Sequence, residues 1–378
     1  MTHPVSTRLQ GLDTLRAVAI GLVYVYHYMV FASHAPTFGV LSKVGWIGVD
    51  LFFALSGYLI GNQILRAIQS DVGFSIKTFY ARRFLRTLPN YYVVLALFVF
   101  VPLMRAGATL PPVWKFLTFT QNINLQVGTA FSHAWSLCVE EQFYLILPAA
   151  ALLVASRKQA VRWGWLLVLA TVLGGMVLRA WLWPQTVVDG EVDWGRYYAL
   201  IYYSPFCRFD ELLAGVVMAM VANFHPAAWA RLARYGVVTL IVGLLGISAV
   251  SYCFLDDASS RMFAIFGYPV LAFSFALLVV SALSPNSPLA RFRVPGAATL
   301  AVWSYAIYLV HKPIIMVGAQ LLKPIQITAG SGLGITILTT ASLVGGALLY
   351  FCVERPFLRL RDRRVPQGRA NLVAQTAT

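Results

Sequence analysis

The stretch LDTLRAVAIGLVYVYHYMVFAS, residues 12–33, decides how the rest of the chain is read. It is apolar for long enough to cross the roughly 30 Å hydrocarbon core of a bilayer as a helix. It also carries Arg16 and His27, two side chains that lipid tolerates poorly. They stand eleven residues apart. At about 100° per residue that spacing returns them to one face, roughly 16 Å apart along the axis. Asp13 lies one turn before Arg16 and is placed to pair with it. The stripe begins charged and ends on an imidazole. It reads either as an interfacial Arg–Asp anchor with a hydrogen-bonded core histidine, or as the wall of a functional path.

The remainder of the chain favours a membrane bundle. Of 378 residues, 59% are hydrophobic and only 11% charged, against about a quarter charged in soluble proteins. The expected fold is all-α, a polytopic integral membrane bundle of about ten helices. The apolar runs are 12–33, 46–65, 88–104, 134–155, 163–183, 199–222, 235–254, 262–283, 298–320 and 332–353. Run 199–222 is the weakest, because Arg208, Asp210 and Glu211 interrupt it. WKFLTFTQNINL (114–125) is too polar to span and reads as re-entrant or interfacial. The first run lacks a small-residue cleavage pattern and is expected to stay as a helix. Cys138, Cys207, Cys253 and Cys352 are scattered, with neither metal nor disulfide spacing. Residues 1–357 read as one integral membrane domain and 358–378 as a basic cytoplasmic tail, expected to be disordered.

A net charge of +15 does not require nucleic acid. With the N-terminus inside, most Lys and Arg fall in loops on one side. The acidic loops VVDGEVD (187–193) and LDD (255–257) fall on the other. That bias places both termini in the cytoplasm. The basic side also suits anionic lipid and anionic cytosolic ligands.

Six further stretches hold polar groups in or beside the apolar runs. FYARRFLRTLPNYY (79–92) gathers Arg82, Arg83 and Arg86 on one side of a helix. It suits either phosphate binding or a topology signal beside anionic lipid. SHAWSLCVEEQFYLILP (132–148) puts His133, Leu137, Glu140 and Tyr144 on one stripe, with Ser136 a turn before Glu140 and Glu141 beside it. At least one of those carboxylates should face the interior; a proton or ion path also fits. GWIGVDLFFALSGYLI (45–60) has Asp50 near an outer helix end, readable as a cap, and Ser56–Gly57 for close helix contact. SYAIYLVHKPII (304–315) aligns Ser304, Tyr308 and His311, with Pro313 freeing a carbonyl and Lys312 expected to reach outward. RFDEL (208–212) allows Arg208 to pair with Glu211, while Asp210 needs another partner. VERPF (353–357) closes the last run, with Glu354 and Arg355 at the interface and Pro356 ending the helix. No Walker loop, G-x-S-x-G, H-E-x-x-H or paired C-x-x-C is present.

Taken in this order, LDTLRAVAIGLVYVYH, GVDLFFALSGYLI, FYARRFLRTLPNYY, HAWSLCVEEQFYLILP, SYAIYLVHKP and VERPF resemble the membrane acyltransferase-3 family. Its members acylate bacterial surface glycans, glycolipids and some macrolides. The resemblance runs from residue 12 to 357, so it covers nearly the whole chain. Thr14 stands where a glycine is commoner, and Lys312 where tryptophan is. The resemblance implies a multi-pass protein of the bacterial cytoplasmic membrane. It implies a catalytic His27 with Arg16, and acyl-CoA handling by Arg83 and Arg86, to which the spacing adds Arg82. Glu140 and Glu141 occupy the motif glutamates. Many relatives carry a periplasmic hydrolase-like domain; none is expected within this sequence.

The expected chemistry follows from those roles. Acyl-CoA, with acetyl-CoA the simplest case, is a co-substrate, and neither a tightly bound cofactor nor a metal is expected. The acceptor is a glycan or glycolipid hydroxyl. His27 serves as general base or takes the acyl group itself. A carboxylate, Asp13, Glu140 or Glu141, fixes its tautomer. His133, Ser136, Tyr144, Asp50, Tyr308 and His311 are expected on the acceptor side or in support. The rival reading is a proton-coupled transporter or flippase; no inverted repeat supports it. The sequence leaves the oligomeric state open.

Overall fold

The computed structural model describes residues 9–70, 73–255 and 257–365. Twelve helices carry the architecture: α1 (Gln10–Tyr28), α2 (Gly48–Gln69), α3 (Ile76–Phe100), α4 (Trp135–Ala155), α5 (Ala160–Leu182), α6 (Phe209–Phe224), α7 (Pro226–Arg234), α8 (Gly236–Cys253), α9 (Tyr268–Leu283), α10 (Ala297–Leu322), α11 (Gly332–Leu349) and α12 (Arg355–Arg364). The described strands are a two-residue antiparallel pair, Val187–Val188 with Glu191–Val192, inside the acidic loop. The protein is an all-α polytopic membrane bundle.

Among the described residues, eight helical stretches are long and apolar enough to cross a bilayer, and up to nine if the bent pair α6–α7 is one span. The sequence reading gave ten. Helix α3 is long enough at 25 residues, but Lys77, Arg82, Arg83 and Arg86 occupy its first half and leave only its second half apolar. Run 199–222 is the other departure. It is broken by a wide turn at Tyr198–Tyr202 and a short turn at Pro205–Cys207 before α6 begins at Phe209. Asp210 and Glu211 then sit in the first turn of α6, where carboxylates complement the helix dipole. Helix α6 bends by 113° into α7 at His225–Pro226.

The end of the chain also departs from expectation. Pro356 does not stop the helix. A wide π-turn at Tyr350–Glu354 precedes it, and Pro356 falls in the first turn of α12. There its missing N–H costs little. Residues 358–364, expected to be disordered, are therefore helical, and α12 packs on α3. The rest of the expected tail, from 366, lies outside the described residues. Glu354 is buried rather than interfacial and accepts a hydrogen bond from Asn90 Nδ2 at 2.8 Å.

Small residues let the centre close. Gly57 of α2 lies directly on the Leu212 carbonyl of α6, and Gly215 of α6 lies on the Ala54 carbonyl of α2. A methyl group at either would meet backbone, so the two helices cross at backbone distance, as small residues permit in membranes. Helix α1 lies against α2, α9 and α10. The polar stretch 114–125 does not span: it folds as a short helix, Val113–Leu117, and turns. Gln142 of α4 donates to the Phe119 carbonyl at 2.8 Å, and Asn122 donates to the Tyr203 carbonyl at 3.2 Å.

Candidate active site

Helices α1, α4 and α10 place the polar residues singled out in the sequence at successive levels across the bundle. Two cavities open along these helices, of about 130 Å³ and about 280 Å³. Arg16, Glu140, Ser304 and Tyr305 line the first; His27 and His133 line the second. Val49 and Tyr308 line both, so the cavities share a wall. The spacing of Arg16 and His27 on α1 thus sets one residue in each cavity.

The first cavity is charged. Arg83 and Arg86 enter it from α3, opposite Arg16. Arg83 Nη2 lies 3.7 Å from Glu141 Oε1, and its guanidinium sits 4.1 Å above the Tyr144 ring. Glu140 accepts from Ser56 Oγ at 3.1 Å and from the Tyr144 hydroxyl at 3.2 Å. Arg86 is exposed in the cavity, and among the described residues nothing hydrogen-bonds to it. Arg82 does not join them. One position along a helix is about 100° of rotation, and it turns Arg82 toward α12, where it meets Asp362 at 3.0 Å and the Val365 carbonyl. Arg16 takes its place as the third guanidinium.

Among the described residues, no Lys, Arg, Asp or Glu side chain lies on the wall of the second cavity. His27 on its wall is one of a pair of imidazoles in direct contact. His27 Nδ1 lies 2.7 Å from His311 Nε2, with ring centroids 5.0 Å apart and planes 12° from parallel. His311 Nδ1 lies 3.0 Å from the Ile307 carbonyl. A carbonyl only accepts, so His311 carries its proton on Nδ1 and offers Nε2 as acceptor. With both rings neutral, His27 donates from Nδ1, and its Nε2 keeps the lone pair.

This corrects the expectation that a carboxylate orients His27. Asp13 is fourteen residues away on the same helix, roughly 21 Å along the axis, and pairs loosely with Arg16 at 3.9 Å. Glu140 and Glu141 belong to the charged cavity. His311 does the orienting. Its contact with His27 joins residues 284 positions apart, which no local pattern reveals.

The shared wall is hydrogen-bonded. The Tyr308 hydroxyl donates to the His133 carbonyl, and since it has one hydrogen, Ser136 Oγ donates to it at 2.7 Å. Ser136, Tyr144 and Tyr308 are therefore at or below the divide, and His133 and His311 above it. The three histidine rings lie within 6.3 Å of one another by centroid. Their nitrogens do not converge, and among the described residues no group of three His, Cys, Asp or Glu is placed to hold a metal.

Two other expectations change. Asp50, readable as a helix cap, is fully buried and accepts from Arg208 Nη2 at 2.7 Å. Arg208 also bridges to Glu211 at 2.7 Å, as the i+3 spacing predicted. Asp210 finds its separate partner in Arg179, at 2.7 Å. Lys312 does not reach outward; it is buried, donates to Ser132 Oγ at 2.7 Å and sits 4.3 Å over the Phe31 ring.

Comparison with known proteins follows the same lines. The model of the Acyl_transf_3 family, an acyltransferase domain, matches residues 9–351. The peptidoglycan O-acetyltransferase OatA of Listeria monocytogenes is 28% identical over 333 residues, covering 84% of this chain and 51% of that protein. The putative peptidoglycan O-acetyltransferase YrhL of Bacillus subtilis is 28% identical over 328 residues, covering 82% of this chain and 49% of that protein. The putative O-acetyltransferase SACOL0978 of Staphylococcus aureus is 24% identical over 338 residues, with 81% and 50% covered. The chain spans about half the length of these relatives. No solved structure matches it.

Proposed function

The chain belongs to the Acyl_transf_3 family of acyltransferases, and from that premise we propose that it carries an acyl group, acetyl in the simplest case, from cytosolic acyl-CoA to a hydroxyl of a glycan or glycolipid across the bacterial cytoplasmic membrane. One observation carries this reading. Two cavities of opposite character share the Tyr308 wall, one holding three guanidiniums and the other the His27 lone pair. Guanidiniums suit the phosphates of CoA. A neutral imidazole suits the removal of a hydroxyl proton near pH 7.

In this mechanism the CoA phosphates rest near Arg83 and Arg86, and the pantetheine arm runs inward past Glu140 and Ser136. The thioester meets the acceptor at the Tyr308 level. His27 Nε2 takes the proton of the acceptor hydroxyl as its oxygen bonds to the acyl carbon. The carbon–sulfur bond breaks, and the departing sulfur recovers the proton from His27. His311, itself held by the Ile307 carbonyl, fixes the imidazole throughout.

The test uses purified protein in vesicles, radiolabelled acetyl-CoA and the glycan fraction of the producing cells. His27→Ala should lower label transfer by about 10²–10⁴-fold, far beyond what the small fall in melting temperature from the unpaired His311 Nε2 explains. Turnover near that of the unaltered protein would remove His27 from the chemistry. Two cavities that share a wall also suit a transporter. A glycolipid that crosses the bilayer without gaining label would favour that reading.

A further inference from the structure

Pro313 lies inside α10 and has no N–H to give to the carbonyl four residues before it, that of Leu309. His133 uses that carbonyl: its Nε2 lies 3.1 Å from Leu309 O. The carbonyl only accepts, so the His133 proton is on Nε2, and in the neutral ring Nδ1 holds a lone pair. Among the described residues that Nδ1 has no hydrogen-bond partner, although His133 is only 3% exposed. A buried acceptor left unpaired is costly and calls for a function. His133 forms part of the uncharged cavity's wall, as His27 does, and their ring centroids are 6.3 Å apart.

We propose that His133 touches the acceptor substrate: its Nδ1 accepts a hydrogen bond from a hydroxyl neighbouring the one that His27 deprotonates. The proposal rests on the acyl-transfer reading and adds the residue that positions the acceptor. A wall with two imidazole lone pairs asks for a ligand with two nearby O–H donors. The rest of that wall includes Trp46, Trp135, Trp194, Tyr26 and Tyr202, with no charged side chain among the described residues. Flat rings around this space suit the apolar face of a sugar, and their phenol and indole groups can take its other hydroxyls. The acceptor portion is thus an uncharged polyhydroxylated ring with adjacent hydroxyls, and the isolated hydroxyl of a simple alcohol is a poor substitute. His133 moves no proton in the transfer; it sets which hydroxyl lies beneath His27.

Two substitutions at one position separate this role from a structural one. The amide nitrogen of His133→Gln falls near Nε2, so it keeps the bond to Leu309 and loses the acceptor at Nδ1. His133→Asn places its side-chain oxygen near Nδ1, so it keeps the acceptor and loses the bond to Leu309. Label transfer from radiolabelled acetyl-CoA to the glycan fraction of the producing cells is measured for both, beside the unaltered protein and with melting temperatures. The expected result is a loss of roughly tenfold to a hundredfold for His133→Gln, the cost of one missing hydrogen bond to a buried partner, with a smaller loss for His133→Asn. His133→Gln should also melt at the higher temperature of the two. Equal loss in both variants, or better transfer by Gln than by Asn, overturns the proposal. An unaltered protein that moves no label overturns the acyl-transfer reading and this inference together, whereas an active one with the reversed ranking overturns this inference alone.

Discussion

Arg208 and Arg86 both point into the bundle, and they are used in opposite ways. Arg208 is fully buried and has every face engaged: Glu211 at 2.7 Å and 3.1 Å, Asp50 at 2.7 Å, and the Tyr202 carbonyl at 3.3 Å. Its guanidinium lies 4.3 Å from the Tyr268 ring and 4.7 Å from the Tyr202 ring. Arg86 is exposed in the charged cavity, and nothing among the described residues bonds to it. The first is a satisfied charge that ties α6 to α2. The second has no hydrogen bond among the described residues, with the Glu354 and Glu141 carboxylates near it. An intramembrane arginine is therefore not a functional signal by itself; what separates the cases is whether its donors are already spent.

The largest effect should come from the closed cluster. Arg208→Ala leaves the Asp50 and Glu211 carboxylates buried without their partner, and breaking such a pair costs about 3–5 kcal/mol. That is a large share of the stability of an ordinary domain. The variant should insert poorly or melt far below the unaltered protein in detergent. If it melts normally and loses only acyl transfer, Arg208 belongs with the open arginines and the distinction fails. Arg208 matters to the site through its neighbours, because the Trp135 and Tyr202 rings beside it also wall the uncharged cavity.

A middle-sized effect belongs to the open cluster, and here stability should stay put. Arg86→Ala removes up to one charged hydrogen bond to a phosphate, about 1.5–3 kcal/mol. The KM for acyl-CoA should rise by roughly tenfold to a hundredfold with little change in melting temperature. Raising the ionic strength should weaken donor binding in the unaltered protein and less so in the variant, since exposed charges are screened within about 8 Å at physiological salt. An unchanged KM with a lowered melting temperature would place Arg86 in the framework instead.

How much of this was legible in the sequence depends on how far apart the partners are. Arg208 with Glu211 is an i+3 pair and was readable. So was the shared face of Arg16 and His27, and the stripe from His133 to Glu140, because helical periodicity is a local rule. Arg208 with Asp50 joins residues 158 apart, and Arg179 with Asp210 joins residues 31 apart. Those contacts exist only once α2, α5 and α6 have packed. The orienter of His27 was misassigned for the same reason: His311 was in view, but nothing local tied it to residue 27. Pro313 did hold a usable signal. Its missing N–H frees the carbonyl at 309, and a buried donor was to be expected there. Run 199–222 and the end at Pro356 failed differently, since wide turns change where a helix stops without changing the composition that suggested it.

The smallest effect is the sharpest check on the comparison, because Arg82 stands next to Arg83 in sequence and on the other side in space. Its charge is spent on Asp362 and the Val365 carbonyl of the C-terminal segment. Asp362 is 58% exposed at its side chain, so solvent screens the pair, which contributes at most about 1 kcal/mol. Arg82→Ala should therefore melt close to the unaltered protein and keep its KM for acyl-CoA within about twofold, a change that corresponds to well under 1 kcal/mol. What should change is α12: once Arg82 no longer grips it, amide exchange across Arg355–Arg364 should quicken, because a surface helix held by few contacts opens locally at little cost. A KM shift as large as that of Arg86→Ala would mean that the phosphates reach Arg82 after all. The guanidinium cluster would then be the one drawn from the i, i+1, i+4 spacing, and the turn of Arg82 toward α12 would be only one of its two positions.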